Sequence, residues 1–138
     1  MNDMTNITKE IYLDTNFLLI PIQFKVDIFE ELNRVCDFPK KIFILSESID
    51  ELHKIIKTQK GKDRDAAKIA LLIIDKKVKQ KSLNITAFSK ELKVDDILVE
   101  LAVKGAIIAT QDKELKKRIK EKDGRIIILK SKSYLQAI

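Results

Sequence analysis

Five short apolar runs recur along the chain: Glu10–Leu13, Lys41–Leu45 (KIFIL), Leu83–Phe88 (LNITAF), Ala106–Ala109 (AIIA) and Arg125–Leu129 (RIIIL). A strand with one wet face alternates apolar and polar residues, whereas near-continuous apolar runs belong to strands covered on both faces. The segments between them repeat at helical spacing. Ile28, Phe29, Leu32 and Val35 do so within 26–36, and Ile49, Leu52, Ile55 and Ile56 within 46–57. Ala66, Ala67, Ile69, Ala70, Leu72, Ile73 and Ile74 suggest a wide buried face over 65–79. Further helices are expected over 94–104 and 111–122. Strands alternating with helices predict a three-layer α/β/α fold around a five-stranded, mainly parallel sheet. With 138 residues and no linker, the chain reads as a single domain, residues 1–9 and 131–138 being loosely packed ends.

In such a sheet, ligands sit at the carboxyl ends of the strands. Four places put acids there. In IYLDTNFLL, Asp14 follows the first strand, and Asp14–Asn16 is expected to cap a short helix stopped by Pro21. Glu51 lies one turn into the helix after the second strand. Asp95 and Asp96 open the helix before the fourth strand, and Asp112 follows that strand behind Thr110. Each acid alone has a structural explanation. Asp14 and Asp112 suit helix starts, Ser48 and Glu51 have capping-box spacing, and Asp95 and Asp96 favour a helix N-terminus through the macrodipole. Taken together they converge on one edge, where they repel unless a cation lies between them. An all-oxygen set suits Mg2+ or Mn2+, and a metal so held can activate water against a phosphodiester.

Charge points the same way. The formal net charge is +6 and the sequence pI about 9.3, compatible with a polyanionic partner. Lys57, Lys60, Lys62 and Arg64 around Gly61, and Lys113, Lys116, Lys117 and Arg118 on the late helix, are candidate RNA contacts, although each also suits a solvated surface. The single cysteine, Cys36, excludes an internal disulfide and a Cys-rich zinc site, and is expected to be buried. No signal peptide and no membrane-length apolar stretch is evident, so a cytoplasmic protein without a membrane partner is expected.

Four stretches, LDTNFLL (13–19), SIDEL with Glu51, VDDILVELA (94–102) and ATQDKELKKRI (109–119), resemble the PIN-domain nucleases in order and spacing. The resemblance runs from residue 11 to about 129. It implies metal-dependent cleavage of single-stranded RNA, leaving a 5′-phosphate and a 3′-hydroxyl. Asp14, Glu51, Asp95 and Asp112 then match the four family acids, with Asp14, Asp95 and Asp112 holding the metal and Asp96 a neighbouring candidate. Asn16 would orient Asp14, and Thr110 stands beside the fourth acid. Toxins of the VapC type commonly carry Asp-Phe shortly after that acid, whereas this chain has Glu114-Leu115. The run DKELKKRI looks more like an archaeal branch related to ribosomal RNA processing. The resemblance leaves open an antitoxin, a ribosome-assembly protein or a second copy of the chain as partner.

Other classes fare worse. A phosphoacceptor receiver needs an acid at the end of its third strand, and residues 83–90 contain none. No Gly-rich phosphate loop occurs. His53, the only histidine, lies on a charged helix away from any nucleophile motif. A catalytically silent module that binds RNA or protein through its basic surface is the alternative, and the complete acid set argues against it.

Overall fold

The computed structural model describes residues 7–138. The first part of the expected loose N-terminal end, residues 1–6, lies outside the described residues. Among the described residues, six strands form one sheet in the order β3-β2-β1-β4-β5-β6: β1 (Lys9–Leu13), β2 (Lys40–Leu45), β3 (Asn84–Thr86), β4 (Ile107–Ala109), β5 (Arg125–Lys130) and β6 (Tyr134–Ala137). The first five are parallel, and β6 runs antiparallel to β5. The helices are α1 (Ile20–Phe24), α2 (Ile28–Val35), α3 (Ser46–Thr58), α4 (Lys62–Lys79), α5 (Val94–Val103) and α6 (Lys113–Glu121). None is long and apolar enough to cross a membrane among the described residues.

Strand periodicity divides the core into two layers. Ile11, Leu13, Ile42, Ile44, Ile107, Ala109, Ile127 and Leu129 share one cluster with residues of α1 to α4. Tyr12, Leu45, Ile108 and Ile126 turn the other way and pack with Val94, Ile97, Leu98, Leu101, Leu115 and Ile119 of α5 and α6. Both faces of the central strands are therefore dry, as their apolar runs require.

The sixth strand corrects the expectation of five strands and replaces part of the loose C-terminal end. Its turn puts both central residues, Ser131 and Lys132, in the left-handed region at φ 53° and 54°, closed by Ser133 N–H donating to the Lys130 carbonyl. Such a turn usually announces itself as Asn-Gly, and this one does not. The free edge of β6 is covered from α2. The Leu135 carbonyl accepts from the Arg34 guanidinium at 2.8 Å, and Leu135 N–H donates to Glu31 at 3.0 Å. This blunts an otherwise open strand edge.

Two other boundaries differ. Pro21 does not end a helix: Thr15–Leu19 is a 3-10 turn, and Pro21 stands at the start of α1, where its missing N–H has no partner to lose. Helix α3 begins at Ser46, so Ser48 is inside it and makes no capping box with Glu51. Of the broad face expected on α4, Ala67, Ala70 and Ile74 are buried, while Ile69 and Leu72 are exposed. Cys36 is buried and free, at the C-terminal end of α2, and burial raises its thiol pKa.

Candidate active site at the sheet switch point

The chain leaves β1 toward β2 and β3 on one side and returns through β4 and β5 on the other. A crevice opens where the winding direction reverses, between β1 and β4. The register sets Leu13 opposite both Ile44 and Ala109, so the carboxyl ends of β1, β2 and β4 finish level. Asp14 is the first residue past β1 and Thr110 the first past β4. Both stand at the crevice.

Asp14 is buried, with only 4% of its surface exposed. Its backbone N–H donates to the Ala109 carbonyl at 2.9 Å. One carboxylate oxygen accepts from Thr15 N–H at 2.8 Å, and the other from the Thr110 hydroxyl at 2.7 Å. Thr110 Oγ in turn accepts from Asp112 N–H at 3.0 Å, and Asp112 caps α6 by accepting from Leu115 N–H at 2.9 Å. One hydrogen-bonded chain thus runs from the end of β1 to the start of α6. On the opposite side, the Thr15 hydroxyl donates to Glu51 at 2.5 Å and ties the post-β1 turn to α3.

A cavity of about 390 Å3 is lined by Asp14, Glu51, Asp95 and Asp112, with Asn16 and Lys54 among its other residues. The four acids expected from the sequence do share one space. Burial drives the Asp14 pKa up from 3.8 to about 6, with the Thr110 and Thr15 hydrogen bonds opposing and the nearby Asp95 and Glu51 charges reinforcing the rise. Burial, and then the charge of Asp112, raises Asp95 as well. Burial and mutual repulsion thus make ionisation of Asp14 and Asp95 costly, as expected of hard oxygen donors facing one another. The donor chemistry fits a divalent ion. Among the described residues, however, no three His, Cys, Asp or Glu side chains stand close enough together to hold an ion.

Several expected roles move. The bonds orienting Asp14 come from Thr15 and Thr110; among the described residues none comes from Asn16, which is exposed on the cavity wall. Asp96 bonds Arg118 at 2.8 Å instead of entering the cavity, so this pair joins α5 to α6. Arg118 is correspondingly engaged. Lys57, Lys60, Lys62, Arg64, Lys113, Lys116 and Lys117 lie outside the cavity lining, and the cation in that lining is Lys54, a residue the sequence reading passed over. Lys62 and Arg64 belong to the first turn of α4, not to a loop. His53 is exposed on α3.

Glu47 was also missed. It is a buried acid one turn before Glu51, and it accepts from the backbone of residues some forty positions away. Nothing local in the sequence signals that contact.

Residues 11–132 match the model of a PIN-like domain family. The chain is 28% identical over 131 residues to Ribonuclease VapC4 of Methanocaldococcus jannaschii, covering 92% of this chain and 95% of that protein. It is 30% identical over 112 residues to Ribonuclease VapC9 of Archaeoglobus fulgidus, covering 80% and 75%. Among solved structures, the PIN domain endonuclease Utp24 superposes with a TM-score of 0.73 at 26% identity, covering 93% of this chain and 90% of that one. The switch-point crevice, its four acids and a family match spanning nearly every described residue lead to one conclusion: this chain belongs to the PIN-like domain family.

Proposed function

We propose that the protein is a Mg2+- or Mn2+-dependent endoribonuclease that hydrolyses single-stranded RNA. The observation that carries this reading is the shared cavity of Asp14, Glu51, Asp95 and Asp112, in which burial and the neighbouring acids raise the Asp14 pKa to about 6. Asp14, Asp95 and Asp112, assisted by Glu51, would hold the ion. When bound, such an ion supplies Lewis acidity, polarising a phosphodiester oxygen and easing the deprotonation of water.

The protein's own residues fix the donors. The Thr110 hydroxyl and Thr15 N–H aim the two oxygens of Asp14, while Thr15 Oγ–H holds Glu51. Lys54, on the cavity wall, is placed to attract a phosphate of the RNA backbone. The relatives named ribonucleases and the Utp24 endonuclease support nuclease chemistry; the biological setting we propose is either a toxin held by an antitoxin or an RNA-processing enzyme.

The test is cleavage of an end-labelled single-stranded RNA with Mg2+, Mn2+ or EDTA, beside Asp14→Ala and Asp112→Ala. The reading predicts metal-dependent cutting lost in both variants, each still folded. Full activity in either variant would remove that acid from the mechanism. Wild-type protein that binds the RNA and never cuts it would favour a silent binding module.

A further inference from the structure

The connection from β3 to α5 delivers Asp95 to the cavity, yet α5 has no side-chain cap: its N-cap residue is Lys93, which makes no such bond. Something else must hold this end of the helix. Glu47, in the first turn of α3, is only 8% exposed. One of its carboxylate oxygens accepts from Phe88 N–H at 2.9 Å and from Ser89 N–H at 2.7 Å. Ser89 passes the constraint on. Its hydroxyl accepts from Glu91 N–H at 3.2 Å and its carbonyl from Leu92 N–H at 3.4 Å. Two residues later the chain enters α5, whose first residue, Val94, is buried in the core layer under the sheet. The Lys104 ammonium, just past the far end of α5, lies 5.7 Å from the centre of the Phe88 ring and ties the same loop back to the helix.

This loop also walls a second cavity of about 450 Å3, which shares Glu51 and Asp95 with the acidic one and adds Glu47, Lys90 and Lys93. Glu47 is not in the lining of the four-acid cavity, and the loop it holds leads directly into the helix that carries Asp95 into that lining.

Resting on the metal-dependent reading above, we infer that Glu47 is a positioning residue: by gripping the Phe88 and Ser89 amides it fixes the β3–α5 loop and, through it, Asp95. The charge on Glu47 is not what the site needs. What it needs is one oxygen accepting two backbone N–H groups. A glutamine can supply that oxygen and can turn its NH2 toward Ser46 Oγ, which now donates to the other Glu47 oxygen at 3.2 Å.

The experiment compares wild type, Glu47→Ala, Glu47→Gln and Ser89→Ala, each below its melting midpoint as set by circular dichroism. Mn2+ affinity is read by calorimetry, and kcat and KM from RNA cleavage. Loss of an outer partner of a metal ligand typically costs about 10–100-fold in metal affinity. Glu47→Ala should fall in that range and lose kcat with little change in KM. Glu47→Gln should stay within about threefold of wild type, the margin of a conservative change that keeps the acceptor. Ser89→Ala, which breaks only the next link, should lie between them and keeps the test decisive if Glu47→Ala does not fold. Wild-type affinity in Ser89→Ala or Glu47→Ala, or a glutamine variant as impaired as the alanine, would overturn the inference, as would a wild-type protein that binds no Mn2+. If wild type binds Mn2+ and cuts no RNA, the nuclease reading fails alone and the affinities still decide the role of Glu47.

Discussion

Replacing Asp14 with Asn should stabilise the protein while destroying its activity. The carboxyl is buried at 4% exposure and its pKa is raised from 3.8 to about 6, by burial first and then by the neighbouring acids. A native-state pKa above the unfolded value means that ionisation opposes folding. The penalty is absent below about pH 3.8, grows between 3.8 and 6, and is complete above 6. A rise of that size corresponds to about 3 kcal/mol at neutral pH. Asparagine removes this cost and keeps an oxygen for Thr15 N–H, but its NH2 cannot accept the hydrogen bond that the Thr110 hydroxyl now donates. A buried hydroxyl left without an acceptor costs about 1–2 kcal/mol. The net gain is about 1–2 kcal/mol, or roughly 3–6 °C in Tm for a chain of this size. The assay is thermal melting of both proteins in EDTA from pH 4 to pH 8. The Asn variant should melt higher at pH 7.5, with the gap closing toward pH 4. Adding Mn2+ should raise only the wild-type Tm, because a ligand stabilises the form that binds it. A variant less stable than wild type by the same amount at every pH would refute the claim that Asp14 is held in an electrostatically costly state.

Two further outcomes follow from neighbouring structure. Burial pushes the Glu47 pKa up, but hydrogen bonds from the Phe88, Glu47 and Ser89 amides and the Ser46 hydroxyl together outweigh it and hold the pKa below 4.5, so its contribution is complete above 4.5 and fades as pH falls below that value; denaturant melts should show wild type and Glu47→Gln converging in stability below pH 4.5, and a gap that widens there would contradict the sign. Gly124→Ala would put a methyl 2.5 Å from Ile119 Cγ2 and 3.2 Å from Ala102 Cβ, where α6 turns into β5, so urea unfolding should show a loss of about 1–3 kcal/mol from overpacking.

The parallel sheet was legible because KIFIL, AIIA and RIIIL have no polar face to offer water, and the structure buries Ile44, Ile108 and Ile127 completely. Asp14 was legible for a related reason: a single acid closing an apolar strand must be at the sheet edge. What stayed hidden depends on partners distant in sequence or on backbone geometry. Glu47 looks like an ordinary acid in a helical first turn, and only the folded chain brings Phe88 and Ser89 to it. Asp96 and Asp95 are adjacent and indistinguishable by type, and the reach of Arg118 separates them. Tyr134–Ala137 has one buried residue, Leu135, too little to mark a strand by periodicity. On α4, Ile69 and Leu72 fit a helical stripe and still face outward, because the buried side is carried by small residues, Ala67 and Ala70, that let the helix approach closely.

The central claim, that the acids around Asp14 direct water onto an RNA phosphodiester, is tested most directly by the chemistry of the product ends. A single-stranded RNA labelled at either terminus would be cut to completion with Mn2+ and its fragments resolved before and after phosphatase and acid treatment. Water attacking phosphorus with departure of the 3′ oxygen leaves a 5′-phosphate and a 3′-hydroxyl, and this account predicts those ends alone. A 2′,3′-cyclic phosphate would mean that the neighbouring ribose hydroxyl, not water, was the nucleophile, and would contradict it.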